Sequence, residues 1–298
     1  MSFIKKRIGG VQGYLTLPPT DPPTTAPPTS APTTAPPEEP ISMTFIEDVG
    51  SGVYVDAAGS ANTKGSWIEI GTLSNEVNGL IVEMFTTDSL GGDYLLDIGL
   101  GETPVVAIPD ILMSDQTAGA QHNFTFYVPL HVEEGTKVSA RVQSTSASRI
   151  VYIGVKGCVG DIPSIETVEA IGANAADSGG VVVDPGATIM TKGSWAEISS
   201  ALPEEAKWIG LCLGGRDNLS RDTAYWLVDI ATGGAGSEVT IIENIALSAL
   251  NSTDTIHPRT FGMFPFIIAE GTRISARAMC TINDSNDRLF DVVLYIGY

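Results

Sequence analysis

"TKGSW" spans residues 63–67 and recurs at residues 191–195. A repeated pentapeptide that includes tryptophan marks either one site used twice or one fold used twice, and its flanks decide which. "VDAAGSANTKGSWIEI" (55–70) aligns with "VDPGATIMTKGSWAEI" (183–198), and "YLLDIGLG" (94–101) with "WLVDIATG" (226–233). "IPDILMS" (108–114) aligns with "IENIALS" (242–248), and "VPLHVEEGTKVSARV" (128–142) with "FPFIIAEGTRISARA" (264–278). "VYIGV" (151–155) and "LYIGY" (294–298) close the series. The offset between copies grows from 128 through 132, 134 and 136 to 143, always between matched segments. Loops that lengthened in the second copy of a tandem domain account for this growth.

Within each copy the apolar period is two. Val138, Ala140 and Val142 alternate with Ser139, Arg141 and Gln143, and Ile274, Ala276, Ala278 and Cys280 follow the same rule. Such alternation predicts half-buried strands with a polar outer face. "SWIEIG", "NGLIVEMF", "DYLLDIG", "VVAIPDI", "FTFYVPLH" and "RIVYIGV" are further short runs punctuated by Gly, Asn, Asp and Ser. Roughly eight strands per copy and no helical pattern predict an all-β chain of two tandem antiparallel sandwiches, jelly-roll rather than immunoglobulin in type. The expected domains are 41–158 and 162–298. In the repeated pentapeptide, Thr and Lys close a loop, Gly permits a bend and Ser starts a strand. Alternation then sends either Trp67 and Trp195 or Ile68 and Ala196 into the core. Glu69 and Glu197 are expected to pair across strands with Arg141 and Arg277.

The N-terminal region is different in kind. Residues 18–40, "PPTDPPTTAPPTSAPTTAPPEEP", hold ten of the chain's eighteen prolines. Proline fixes φ, removes a donor and pushes its predecessor towards extended backbone, so the segment reads as a polyproline-II linker of roughly 70 Å reach. Ahead of it, residues 1–17 carry Phe3, Ile4, Lys5, Lys6, Arg7, Ile8, Val11, Tyr14, Leu15 and Leu17. That set is too short for a core of its own and reads as a docking peptide. The basic cluster is followed by no apolar run of the signal-peptide kind, which points to a product made in a cell's cytoplasm.

Composition excludes several functions. The 298 residues carry a formal net charge of −19, and residues 1–40 contribute none of it, since Lys5, Lys6 and Arg7 balance Asp21, Glu38 and Glu39. An acidic body of this kind repels nucleic acid and anionic membranes, and no apolar run reaches the roughly 20 residues of a membrane span. Cys158, Cys212 and Cys280 form neither a disulfide framework nor a zinc pattern, and Cys212 and Cys280 sit at core-like strand positions. The histidines, His122, His131 and His257, show no ligand spacing. Asp97 and Asp229 give one carboxylate per copy rather than a glycosidase pair. "TGGAGS" (232–237) reads as a hairpin loop, and "TINDSNDRLFD" (281–291) as a solvated turn rather than a calcium loop. No cofactor, metal or catalytic set is expected. Trp208 and Trp226, which lack tryptophan counterparts in the first copy, are candidates for stacking on a glycan.

A short anchor, a Pro/Thr spacer and tandem Gly/Thr-rich β-domains resemble the surface proteins of tailed-bacteriophage virions: head decoration proteins, head fibres and tail fibres. The resemblance implies a non-enzymatic structural protein on the virion surface. Residues 1–17 would bind another virion protein, the major capsid protein ahead of a tail component, and the body would project outwards as a homo-oligomer such as a trimer. The alternative is a glycan-binding module, either a receptor-binding fibre tip or a secreted carbohydrate-binding protein.

Overall fold

A computed structural model describes residues 43–86, 92–115, 122–215, 224–249, 261–264, 267–284 and 288–298. The docking peptide and the Pro/Thr linker lie outside the described residues, and Ile41–Tyr298 form one compact unit. The described residues build strands and no helix. In the first copy these are β1 (Met43–Asp56), β2 (Ile68–Thr72), β3 (Leu80–Thr86), β4 (Gly92–Leu100), β5 (Val105–Asp115), β6 (His122–Val128), β7 (Lys137–Ser144) and β8 (Ile150–Gly160). The second copy has β9 (Val168–Ile171), β10 (Val181–Val183), β11 (Ala196–Ser199), β12 (Trp208–Gly215), β13 (Ala224–Thr232), β14 (Val239–Ala249), β15 (Phe261–Phe264), β16 (Ile274–Cys280) and β17 (Phe290–Gly297).

The first copy pairs its strands in the orders β1-β8-β3-β6 and β2-β7-β4-β5. The second repeats this as β10-β17-β12-β15 and β11-β16-β13-β14, with β9 also on β17. All the strand pairs are antiparallel. This wiring is that of two jelly rolls. Each sandwich closes because the alternating apolar side chains of its two sheets meet inside: Val82, Met84, Ile98, Val142 and Ile153 in the first, Leu211, Leu213, Trp226, Val228 and Val292 in the second. "TGGAGS" joins β13 to β14 as a hairpin connection, as expected.

Strand register corrects one alignment. Val55 faces Val151, and its counterpart Val183 faces Phe290; Leu80 faces Gly157, and Ile209 faces Ile296. Val151 therefore corresponds to Phe290 and Arg149 to Arg288. The likeness of "VYIGV" to "LYIGY" is a coincidence of apolar strand composition, four residues out of register.

A second correction concerns the polar outer faces. Every residue of β17 is buried. Phe290, Val292, Leu294 and Ile296 fill the second core, whereas Val293 and Tyr295 join the core cluster of the first sandwich together with Trp208 and Cys212 of β12. A strand covered on both faces reads as a continuous apolar run, which "VVLYIG" (292–297) is. The outer face of the second sandwich's β10-β17-β12-β15 sheet thus packs on the first sandwich beside its edge strands β5 and β6. Tyr295 stacks edge-on against Phe126, 4.7 Å between centroids. Its hydroxyl donates to the Asp110 carbonyl at 2.8 Å and accepts from the Leu112 N–H at 2.8 Å. Gly214 is small because a Cβ there would lie 2.9 Å from Leu112 Cδ2 and 2.7 Å from Ser114 Oγ. Nearby, Gln143 Nε2 donates to Ser178 Oγ at 3.0 Å, and that hydroxyl donates to Asn62 Oδ1 at 2.8 Å. Gln143, placed by alternation on a solvent face, is 2% exposed for this reason.

Burial at this junction gives a testable alkaline response. The Cys212 thiol is pushed up to about 12 by burial, and burial also holds the Tyr295 phenol well above its usual range. A raised folded-state value contributes stability below the unfolded value and loses it as pH climbs towards the folded one. Urea midpoints should therefore fall from about pH 8.5, where an unfolded thiol begins to ionise, and Cys212→Ala should make the fall between about pH 8.5 and 10 shallower, leaving the share of Cys158, whose thiol burial also raises.

Candidate functional site

The polar residues kept in both copies converge on one carboxylate each. In the first sandwich Asp97, on β4, accepts from Lys64 Nζ at 2.7 Å, Arg141 Nε at 2.8 Å and the Asp110 N–H at 2.9 Å. Lys64 also donates to the Leu95 carbonyl at 3.0 Å. The Arg141 guanidinium lies 4.5 Å from the centroid of the Trp67 ring. The second sandwich repeats each part. Asp229 accepts from Lys192 Nζ at 2.6 Å, Arg277 Nε at 3.1 Å and the Asn244 N–H at 3.0 Å. Lys192 donates to the Leu227 carbonyl at 2.9 Å, and Arg277 lies 4.3 Å from the Trp195 centroid.

Local backbone explains the arrangement. Asp110 and Asn244 adopt positive φ, 48° and 56°, at irregularities where β5 and β14 break register with β4 and β13. Each such bulge turns an N–H towards the carboxylate, so the aspartate pins the bulge while its other lone pairs take the two cations. Lysine and tryptophan of "TKGSW" then fasten the incoming loop to β4 and β7, or to β13 and β16. Gly65 and Gly193 let that loop lie against its neighbours: their N–H groups bond Val142 and Ala278 carbonyls at 2.8 Å. Gly99 leaves room for the six-membered ring of Trp67.

Trp67 and Trp195 therefore lie half-buried on the outer sheet face beneath arginine, while Ile70 and Ile198 enter the cores. Arg141 and Arg277 pair with Asp97 and Asp229, not with the glutamates as expected. Glu69 stands 3.6 Å from Lys137, and Glu197 2.6 Å from Arg273. The error is one of register: the glutamates share the arginines' face but stand opposite Ser139 and Ser275, whereas aspartate on the other neighbouring strand sits directly opposite arginine, Asp97 to Arg141 and Asp229 to Arg277. Charge state follows from the geometry. Burial pushes the Asp229 carboxyl up, but the Lys192 ammonium, the Asn244 N–H and Arg277 together hold it below its ordinary value. A carboxylate saturated by three donors is a poor general base, and an indole faced by guanidinium offers no open stacking platform on that side. The constellation acts as a fastener between loop, bulge and two strands.

The two tryptophans singled out for glycan stacking are placed elsewhere. Trp226 is fully buried, its Nε1 donating to the Arg288 carbonyl at 2.9 Å and its ring edge-on to Phe290 at 6.4 Å. It fills the place that Tyr94 takes in the first core. Trp208 is 4% exposed and meets Phe126 across the junction at 6.4 Å. Neither can stack on a sugar, and Trp208 lacks a counterpart because the chain makes this junction once. Phe3, Ile4, Lys5, Lys6, Arg7, Ile8, Val11, Tyr14, Leu15 and Leu17 lie outside the described residues, as does His257.

His131 Nδ1 lies 2.9 Å from Asn78 Oδ1. Among the described residues no group of three or more His, Cys, Asp or Glu is placed to hold a metal. In the 281–291 loop, Arg288 donates to the Asn283 carbonyl at 2.7 Å and pairs with Asp184 at 2.7 Å. Cys158, Cys212 and Cys280 are buried and unbridged. No described helix is long and apolar enough to cross a membrane.

No protein-family model matches the chain, and no curated protein matches it. Among solved structures, PNGF-II is similar with 7% identity and a TM-score of 0.40 over 85% of this chain and 64% of that one. The chain thus spans less than two thirds of PNGF-II. The CBM22-1–CBM22-2 tandem domain of Paenibacillus barcinonensis Xyn10C is similar with 10% identity and a TM-score of 0.26, over 87% of this chain and 98% of that one. A triple-jelly-roll protein from the turret assembly of an archaeal virus follows at 10% identity and a TM-score of 0.20, over 82% and 58%. Likeness at these levels carries no ligand, substrate or assembly over to this chain.

Proposed function

We propose that the chain is a non-enzymatic structural protein of a virus particle, of the tailed-phage kind that its organisation resembles. Residues 1–17 dock on the particle, with the major capsid protein as the preferred partner, residues 18–40 act as the spacer, and the tandem jelly rolls are displayed outwards. The observation that carries this reading is the saturation of both duplicated constellations: Asp97 and Asp229 each hold two cations and a backbone N–H. Residues that a duplicated enzyme would keep for chemistry are here tied into the fold. The outcome is a stiff body suited to decoration.

Particles lacking the protein, mixed with full-length chain and sedimented, should carry it down. A chain beginning at Ile41 should stay in the supernatant while keeping the thermal midpoint of the body. Equal co-sedimentation of the two would refute docking through the arm.

A further inference from the structure

We propose that Lys64 and Asp110 become joined by an amide bond between Nζ and Cγ, with Asp97 carrying the proton. The bond is a covalent staple that ties the loop between β1 and β2 to the bulge of β5. Lys64 Nζ lies 2.7 Å from Asp97 Oδ1 and 2.7 Å from Asp110 Oδ1. Such an oxygen contact sets the amine about 3.5 Å from the carboxyl carbon, the separation of a near-attack arrangement.

Both reactants are held in place. Lys64 is fastened to the Leu95 carbonyl at 3.0 Å. Asp110 is fixed at φ 48°, its N–H bonded to Asp97 and its carbonyl accepting from the Tyr295 hydroxyl. Groups positioned in this way react as if present at on the order of 10⁵–10⁸ M, which favours condensation over hydrolysis by the surrounding water. The two carboxylates differ in role. Asp97, with a side chain 4% exposed, takes Arg141 and the Asp110 N–H as well as Lys64. The Asp110 carboxylate, among the described residues, takes Lys64 alone. Asp110 is therefore the acyl donor, and Asp97 is the group that stays. Saturation bars Asp97 from acting on an outside molecule, but Lys64 is one of its own donors. The proton to be moved already lies on that hydrogen bond.

The step balances. One ammonium proton passes to Asp97 and frees the nitrogen lone pair, which attacks Asp110 Cγ. Asp97 returns that proton to the departing Asp110 oxygen, and a second follows from the nitrogen as the C–O bond breaks. Water leaves and the third proton stays on the amide. One positive and one negative charge vanish together, and nothing is oxidised or reduced.

The repeated pentapeptide supplies an internal control. Lys192 bonds Asp229 and the Leu227 carbonyl as Lys64 bonds Asp97 and Leu95. The place of Asp110 is taken by Asn244, and among the described residues Lys192 makes no bond to that exposed side chain. The staple belongs to the first sandwich.

Full-length chain, denatured and weighed intact by mass spectrometry, should be lighter than its sequence by one water. Trypsin, which needs a free lysine, should cut after Lys192 and spare the Lys64–Gly65 bond, although both lie in "TKGSW". Lys64→Arg keeps the cation, so it should fold and show its full mass; Asp97→Ala should also show its full mass, for want of the proton carrier. Full sequence mass in the wild-type chain, or cleavage after both lysines, overturns the proposal. So does a loss of water that survives either variant, or one that mild alkali reverses, the mark of a cyclic aspartyl imide rather than an amide between side chains.

Discussion

Tyr295→Ala is expected to destabilise the body by about 3–5 kcal/mol, the usual range for truncating a buried aromatic. The ring lies between the two sandwiches, fully buried against Phe126, and its removal leaves a cavity bounded by a sheet on one side and a strand edge on the other. The hydroxyl has its own share. Tyr295→Phe keeps the packing but strands the Leu112 N–H and the Asp110 carbonyl, at a cost of about 1–3 kcal/mol for buried groups left without a partner. Denaturant titration separates the two effects. If the sandwiches unfold as one unit in the wild type, Tyr295→Ala should split the transition in two, with the first sandwich melting earlier. A single transition with an unchanged midpoint would mean that the junction adds nothing to stability.

Asp229→Ala is expected to cost about 2–3 kcal/mol. Breaking a fully buried ion pair costs about 3–5 kcal/mol, but Lys192 and Arg277 keep side-chain exposures of 20% and 32%, so solvent recovers part of the loss. The Asn244 N–H also loses its acceptor, which loosens the bulge of β14. The pH dependence follows from the lowered carboxyl. A depressed folded-state value contributes stability above the unfolded value and loses it as pH falls through the folded one. Wild-type urea midpoints should therefore decline below about pH 4, the ordinary aspartate range, and Asp229→Ala should decline less steeply from a lower plateau. Asp97→Ala should show the same loss at neutral pH in the first sandwich, since Asp97 holds the matching partners Lys64, Arg141 and the Asp110 N–H.

The all-β class and the duplication were legible because strand alternation and repeated loops are local signals. Val138, Ala140 and Val142 face the core as their spacing required. The partner of Arg141 was not legible. Alternation assigns residues to faces but says nothing of which strand lies beside which, and only the β4–β7 register brings Asp97 opposite Arg141. The roles of Trp208 and Trp226 failed for a related reason. A tryptophan without a counterpart in the other copy can mark a ligand site or a contact made once, and sequence does not distinguish them. The apolar run of β17 did hold a signal: Val293 and Tyr295 break the expected polar positions, and a strand apolar on both faces asks for a cover on both.

"TKGSW" with its matched flanks determined that one fold was used twice, and the pentapeptide itself is kept because a loop that must bend, reach a carboxylate and seat an indole tolerates little change. That the two folds share a buried junction was decided only by tertiary structure. The contact joins residues that are 183 apart in the chain, Leu112 and Tyr295, and no local pattern encodes which outer face of a sandwich meets the next. Such a choice rests on shape: Gly214 makes space for Leu112, and Tyr295 finds two backbone groups at a bulge.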